Sequence, residues 1–163
     1  MCGKILLFIQ PGVGEIGRME KGAAMNGEAL SRWQGWGVTV LRITVGIVFL
    51  AHGGQKIFVF GFDNVAAFMG KIGVPAPMLA AIVVSLVEFL GGAALVVGAF
   101  TRWAAAPLAI TMLVAIVTVH LKAGFFLPAG YEFALTLFSA NVALALLGSG
   151  EASVDGLLQS RRS

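Results

Sequence analysis

The chain has 163 residues, of which 58% are hydrophobic and 12% charged, with a formal net charge of +3. A soluble domain is usually about 45–50% apolar and about 25% charged, so this composition excludes an ordinary water-soluble domain. The small, scattered basic excess gives no nucleic-acid footprint, and a single cysteine, Cys2, excludes an internal disulfide, a CxxC redox pair and a cysteine-rich metal site.

In chain order, residues 1–35 read as a flexible, glycine-rich tail without apolar period. Lys4 is followed by only ILLFI before Gln10 and Pro11, too short for a signal-peptide core of about 7–15 residues. The first apolar span is therefore expected to act as an uncleaved anchor, and Met19 and Met25 offer alternative starts that leave open whether residues 1–24 belong to the native protein. Four apolar blocks follow over residues 36–150, at about Gly37–Phe60, Pro77–Phe100, Ala104–Leu121 and Tyr131–Leu147. Each is near the about 20 residues that cross a bilayer as a helix. Only helices satisfy their backbone groups within one such segment, so the expected fold is all-α: an integral membrane four-helix bundle. Gly61, Gly73-Val74-Pro75 and Pro128-Ala129-Gly130 punctuate the blocks. Pro77 and Pro107 are expected in first helical turns, where a missing N–H costs little.

Orientation follows the lysine and arginine bias. Lys4, Arg18, Lys21, Arg32, Arg102, Arg161 and Arg162 fall on the side of both termini, and Lys56, Lys71 and Lys122 on the other. The bias places both termini, including a C-terminal tail over residues 151–163, in the cytoplasm. Trp33, Trp36 and Trp103 then form an interfacial belt.

Glu88 is the lone ionisable residue between Ala76 and Thr101. A carboxyl at bilayer depth must pair, stay protonated or face a polar cavity, which makes it the leading functional candidate. On the first helix Arg42, Phe49, His52 and Lys56 fall within an arc of about 80° at 100° per residue. Glu88, His52 and Arg42 are the candidate catalytic set, with Arg42 and His52 expected to reach Glu88 and Lys56 to snorkel outward. The bland alternative is an ion pair that only fixes helix register. His120, Glu132 and Lys56 are expected to form the mouth of a pocket leading to Glu88, with Arg102 a further ligand-binding candidate. For Glu132 a simple helix cap is the alternative. Asn141 is expected to bond a neighbouring helix. Two facing histidines could ligate a haem iron, but His120 lies further outward than His52 and neither has a partner histidine at helical spacing. No HxxxH or ExxH spacing supports a metal site.

The ordered motifs resemble the DoxX family of small bacterial membrane proteins. They are Leu41-Arg42-Ile43 with Gly46, Phe49-Leu50-Ala51-His52-Gly53 with Lys56, Gly73-Val74-Pro75-Ala76-Pro77, and Glu88 with Gly91-Gly92. Gly98-Ala99-Phe100-Thr101-Arg102, Thr118-Val119-His120, Gly124-Phe125-Phe126, Gly130-Tyr131-Glu132 and a closing Gly148-Ser149-Gly150-Glu151-Ala152-Ser153-Val154-Asp155 complete the set. The resemblance covers about Val40 to Leu158. It implies a multi-pass protein of the bacterial plasma (inner) membrane, with relatives among membrane subunits of thiosulfate:quinone oxidoreductase and proteins linked to oxidant stress. The expected function is a membrane subunit of an oxidoreductase system that binds a quinone-type molecule, the Glu88–His52 pair delivering protons and a partner supplying electrons. A non-catalytic scaffold that recruits partners and a small lipid- or solute-binding transporter remain alternatives. The lipid bilayer is the one partner the composition demands, and oligomeric state is not legible.

Overall fold

The computed structural model describes residues 13–161, and among these all regular structure is helical. The chain divides into two compact units, residues 1–34 and 35–163. In the first, the described residues are helical from Val13, inside the segment read as a tail, with Met25, Leu30 and Trp33 exposed. No proline stands between Pro11 and Pro75 to stop the winding.

Helix α1 runs Val13–Gly54 and continues as a π-helical turn, Gln55–Phe60. Gly61, at φ +75° and ψ 156°, then takes a conformation that glycine alone adopts easily, and the chain turns there. The sequence places a break at Gly61, but the helix resumes at once as α2, Gly61–Lys71, which buries Val65 and Ala66 against Ala81 and exposes Asp63, Asn64 and Lys71. Helix α3, Pro77–Val97, opens on Pro77 and closes on Gly98 at φ +71°, whose N–H donates to Ala94 O at 2.9 Å. It stops three residues short of the expected Phe100.

Helix α4, Thr101–Ala115, continues through a π-helical turn, Ile116–His120, and a 3₁₀ turn, Leu121–Ala123. It begins three residues before the expected Ala104, which puts Pro107 inside the helix rather than in its first turn. The early start has a cause far away in sequence. Asp155 accepts from the Phe100 and Thr101 amides at 2.8 and 3.0 Å and so satisfies the first donors of α4. Helix α5, Glu132–Leu147, is apolar but shorter, and α6, Val154–Ser160, is capped by Ser153, whose hydroxyl accepts from Gly156 N at 3.0 Å. Among the described residues three runs are long and apolar enough to cross a membrane, Ala29–Lys71, Pro77–Val97 and Thr101–Ala123, with α5 as the shorter apolar fourth.

Packing in the second unit is built on small residues. A Cβ added to Gly46 would lie 2.8 Å from Val96 N and 2.9 Å from Gly92 O, so the α1 and α3 backbones nearly touch there. Van der Waals contact of this kind holds helices together in lipid, where the hydrophobic force between them is absent. Val45 and Phe49 of α1, Leu95 of α3, Leu108 and Met112 of α4 and Leu137 and Leu144 of α5 form one core.

Candidate ligand-binding cavity

Glu88 lies in the middle of α3, 3% exposed, between helices. Its carboxylate Oε2 accepts from Lys56 Nζ in an ion pair, the one salt bridge among the described residues. Lys56 does not snorkel outward as the sequence reading expected. It is the second residue of the π-helical turn, and from there it points to the carboxylate across the α1–α3 seam. A buried carboxylate without a cation or proton is costly, and Lys56 relieves that cost.

The pair lines a cavity of about 550 Å³. Val48 and Phe49 of α1, Val83 and Val84 of α3 and Met112 and Val114 of α4 give it mostly apolar walls. Phe68 and Met69 of α2 line it too, so the short helix after Gly61 forms part of the wall. His52 and His120 also face it. His52 Nδ1 bonds Val48 O at 2.9 Å, and its ring sits 6.3 Å from that of Phe133. His120 ends the second π-helical turn, and its Nδ1 bonds Ala129 O at 2.8 Å. Thr111 and Thr118 line the wall as well, but their hydroxyls donate to Pro107 O and Val114 O of their own helix, at 3.0 and 2.8 Å. Lys56, Glu88, His52 and His120 therefore carry the polar chemistry of an otherwise greasy chamber. Both π-helical turns contribute one of the four, consistent with the frequent placement of such turns at functional sites.

The remaining sequence candidates lie elsewhere. Arg42 shares the stripe of His52 and Lys56 but does not reach Glu88. Its guanidinium, 1% exposed, donates to Leu95 O at 2.7 Å and Ala152 O at 2.5 Å. Leu95 is seven residues from Glu88, about 10 Å along α3. The last carbonyls of a helix lack partners within it and carry its negative dipole end, so they attract a cation more locally than Glu88 does. Arg42 thus ties α1 to the end of α3 and to the C-terminal segment. Thr39 adds to the tie, its hydroxyl oxygen accepting from Glu151 N at 3.0 Å. The segment read as a cytoplasmic tail folds back onto the bundle through these bonds and through Asp155.

Glu132 is not on the cavity wall. Its Oε1 accepts from Leu127 N at 2.7 Å and closes the loop before its own helix, nearer to the capping alternative. Arg102 is exposed beside Gly148, at the opposite end of α4 from His120, and does not line the cavity. Asn141 donates to Leu137 O of its own helix at 2.8 Å, not to a neighbour, and its Oδ1 is buried without a partner. Among the described residues no three His, Cys, Asp or Glu side chains gather as a metal-ligand set. The sequence reading missed the α2 wall; Val65, Phe68, Met69 and Ile72 at helical spacing were the available signal.

The fold and this chamber define an all-helical membrane protein with an apolar cavity lined on one side by an ion pair. The DoxX family model matches residues 37–121, and the chain belongs to that family. It is 37% identical over 119 residues to a Bacillus subtilis (strain 168) protein named "Putative oxidoreductase CatD", covering 73% of this chain and 84% of the relative. It is 38% identical over 63 residues to the inner membrane protein YphA of Escherichia coli (strain K12), covering 39% and 44%. The uncharacterized membrane protein Rv3486 of Mycobacterium tuberculosis (strain ATCC 25618 / H37Rv) is 38% identical over 86 residues, covering 53% and 52%. No solved structure matches the chain.

Proposed function

We propose that this protein is the membrane subunit of an oxidoreductase system and holds a quinone-type lipophilic molecule in the cavity beside Lys56 and Glu88. The observation that carries the reading is a chamber of about 550 Å³ with apolar walls and only four chemically active polar side chains, two of them imidazoles. Ligand sites are typically apolar clefts of about 300–1,000 Å³ with a few placed polar groups. A greasy ring system with a polar edge fits that description. Quinone chemistry moves protons with electrons, and an acid–ammonium pair sharing a cavity with two imidazoles can hold and pass protons. Electrons come from a redox partner. The printed name of the Bacillus subtilis relative points the same way.

The bilayer in question is the bacterial plasma membrane, with both termini cytoplasmic, on the strength of the lysine and arginine bias and the inner-membrane relative. The test is purification from membranes followed by mass spectrometry of bound lipophiles and partners. A stoichiometric quinone and a co-purifying redox protein support the reading. A bound phospholipid alone replaces it with lipid binding, and a protein partner without any small molecule replaces it with a scaffold.

A further inference from the structure

The cavity has a hydrogen-bonding polarity, and it follows from how the two imidazoles are held. His52 and His120 each commit Nδ1 to a main-chain carbonyl, Val48 O at 2.9 Å and Ala129 O at 2.8 Å. A carbonyl only accepts, so Nδ1 carries the ring proton in both. A neutral imidazole has one such proton, which leaves Nε2 an acceptor in both rings. Neither Nε2 has a hydrogen-bond partner among the described residues.

The other groups on the wall do not reverse this balance. The Thr111 and Thr118 hydroxyl protons are committed to carbonyls of α4, Pro107 O and Val114 O, so these oxygens have only lone pairs to offer. Glu88 presents a second carboxylate oxygen, again an acceptor. Lys56 is the one side-chain donor on the described wall, with one of its three N–H groups given to Glu88 and two left to offer. Acceptors therefore outnumber donors. A quinone offers acceptors only, so it can pair with Lys56 alone and leaves both imidazole lone pairs unmatched. A hydroquinone offers two O–H donors, each matched to an unspent acceptor.

Resting on the cavity reading above, we propose that the site selects the reduced, hydroxyl-bearing form of its ligand, a lipophilic diphenol, over the corresponding quinone. The device is the pair of Nδ1–H···O=C bonds, which set both tautomers before any ligand arrives. This is the second-residue logic by which a hydrogen bond on one ring nitrogen decides the role of the other.

The test compares a decyl-tailed benzoquinone with its hydroquinone. Binding is measured by calorimetry on the full chain in nanodiscs, anaerobically, at pH 8. The hydroquinone is expected to bind about tenfold tighter or more, the effect of one matched hydrogen bond or better. In ¹⁵N-histidine NMR spectra both Nε2 nitrogens should read as unprotonated and shift when hydroquinone is added. His52→Phe and His120→Phe should each reduce the preference. Equal affinities, or a tighter quinone, overturn the selectivity while leaving the cavity reading standing. No saturable binding of either form overturns both. Should the variants not fold, the wild-type affinity ratio and the nitrogen spectra still decide, and a protonated Nε2 in either ring overturns the proposal.

Discussion

Lys56 donates to Glu88 across the seam between α1 and α3, and this ion pair stands on the wall of the cavity rather than in the packed core. The position gives it two roles with different mutational signatures. As a structural pair it hides a charge in an apolar setting. As a cavity group it would meet the proposed ligand.

Breaking the pair from one side leaves an uncompensated charge, which typically costs about 3–5 kcal/mol. Lys56→Met and Glu88→Leu should each lower the thermal midpoint of the purified protein. The double variant Lys56→Met/Glu88→Leu should recover much of that loss, because neither charge remains to be hidden. A double-mutant cycle read by thermal unfolding in detergent should be strongly non-additive, with the double variant losing less than either single variant. Additive losses would mean the two side chains act independently. Ligand binding should not recover in the double variant, since the polar wall is gone.

The close approach of α1 and α3 predicts a sharp contrast between glycines. At Gly46 a methyl group would press on the Val96 amide and the Gly92 carbonyl, both backbone, so neither can swing away. Gly46→Ala should separate the helices and cost about 1–3 kcal/mol, as overpacking does. At Gly37, also on α1, an added methyl meets nothing within 4 Å. Gly37→Ala should be neutral or stabilise by up to about 1 kcal/mol through helix propensity. Equal behaviour of the two variants in thermal unfolding would contradict the seam.

Arg42 predicts a failure confined to one end of the bundle. Its carbonyl contacts reach Leu95, Val96 and Ala152, and Asp155 caps α4 from the same segment. Arg42→Ala should leave those carbonyls unpaired and free residues 148–160 to limited proteolysis. Asp155→Ala should do the same more mildly, with a cap loss of about 1 kcal/mol. Both variants should keep the ligand affinity of the wild type, provided they are folded, because the cavity lies beyond the reach of either side chain. Loss of binding with the C-terminal segment still protected would place Arg42 in the site after all.

These contacts mark where sequence reasoning works and where it stops. Glu88 was legible because a lone acid in an apolar run has few ways to be tolerated. The stripe of Phe49, His52 and Lys56 was legible because helical phase is a property of one segment, and all three do line the cavity. Arg42 has the same phase, yet phase says nothing about what stands opposite at its height. That depended on where α3 ends, at Gly98, and on a C-terminal segment 110 residues away that supplies the Ala152 carbonyl. The start of α4 was misjudged for the same reason, since its cap comes from Asp155, 54 residues beyond Thr101. The α2 wall was hidden by its length, a short amphipathic helix that ends the first membrane-long run. Family resemblance could not supply the site's chemistry, because a fold carries many functions and only the placed side chains choose among them.

Orientation is open to direct measurement. The turn after α2 and the C-terminus should lie on opposite sides of the membrane if four spans cross it with the basic side inward. Reporter fusions after Gly70 and after Ser163 should therefore give opposite compartment signals. Matching signals would mean that α5, the shortest apolar helix, does not cross, or that α2 returns the chain to its starting side.

The last prediction separates two residues that the sequence grouped together. His120 and Glu132 both touch the loop between α4 and α5: His120 Nδ1 donates to Ala129 O at 2.8 Å, and Glu132 Oε1 accepts from Leu127 N at 2.7 Å. Their shared neighbour makes them look like one cluster, but only His120 is on the cavity wall. Glu132→Gln keeps an oxygen for the Leu127 amide, so it should leave both stability and ligand affinity near wild type. Glu132→Ala removes the acceptor and should cost about 1 kcal/mol in thermal stability, with affinity again unchanged once folding is accounted for. His120→Phe should behave in the opposite way, holding the loop less well and weakening hydroquinone binding as well. Hydrogen exchange across residues 124–131 reports the loop, and calorimetry reports the ligand. If Glu132→Gln weakened binding while leaving the loop protected, the carboxylate would belong to the site and not to the turn.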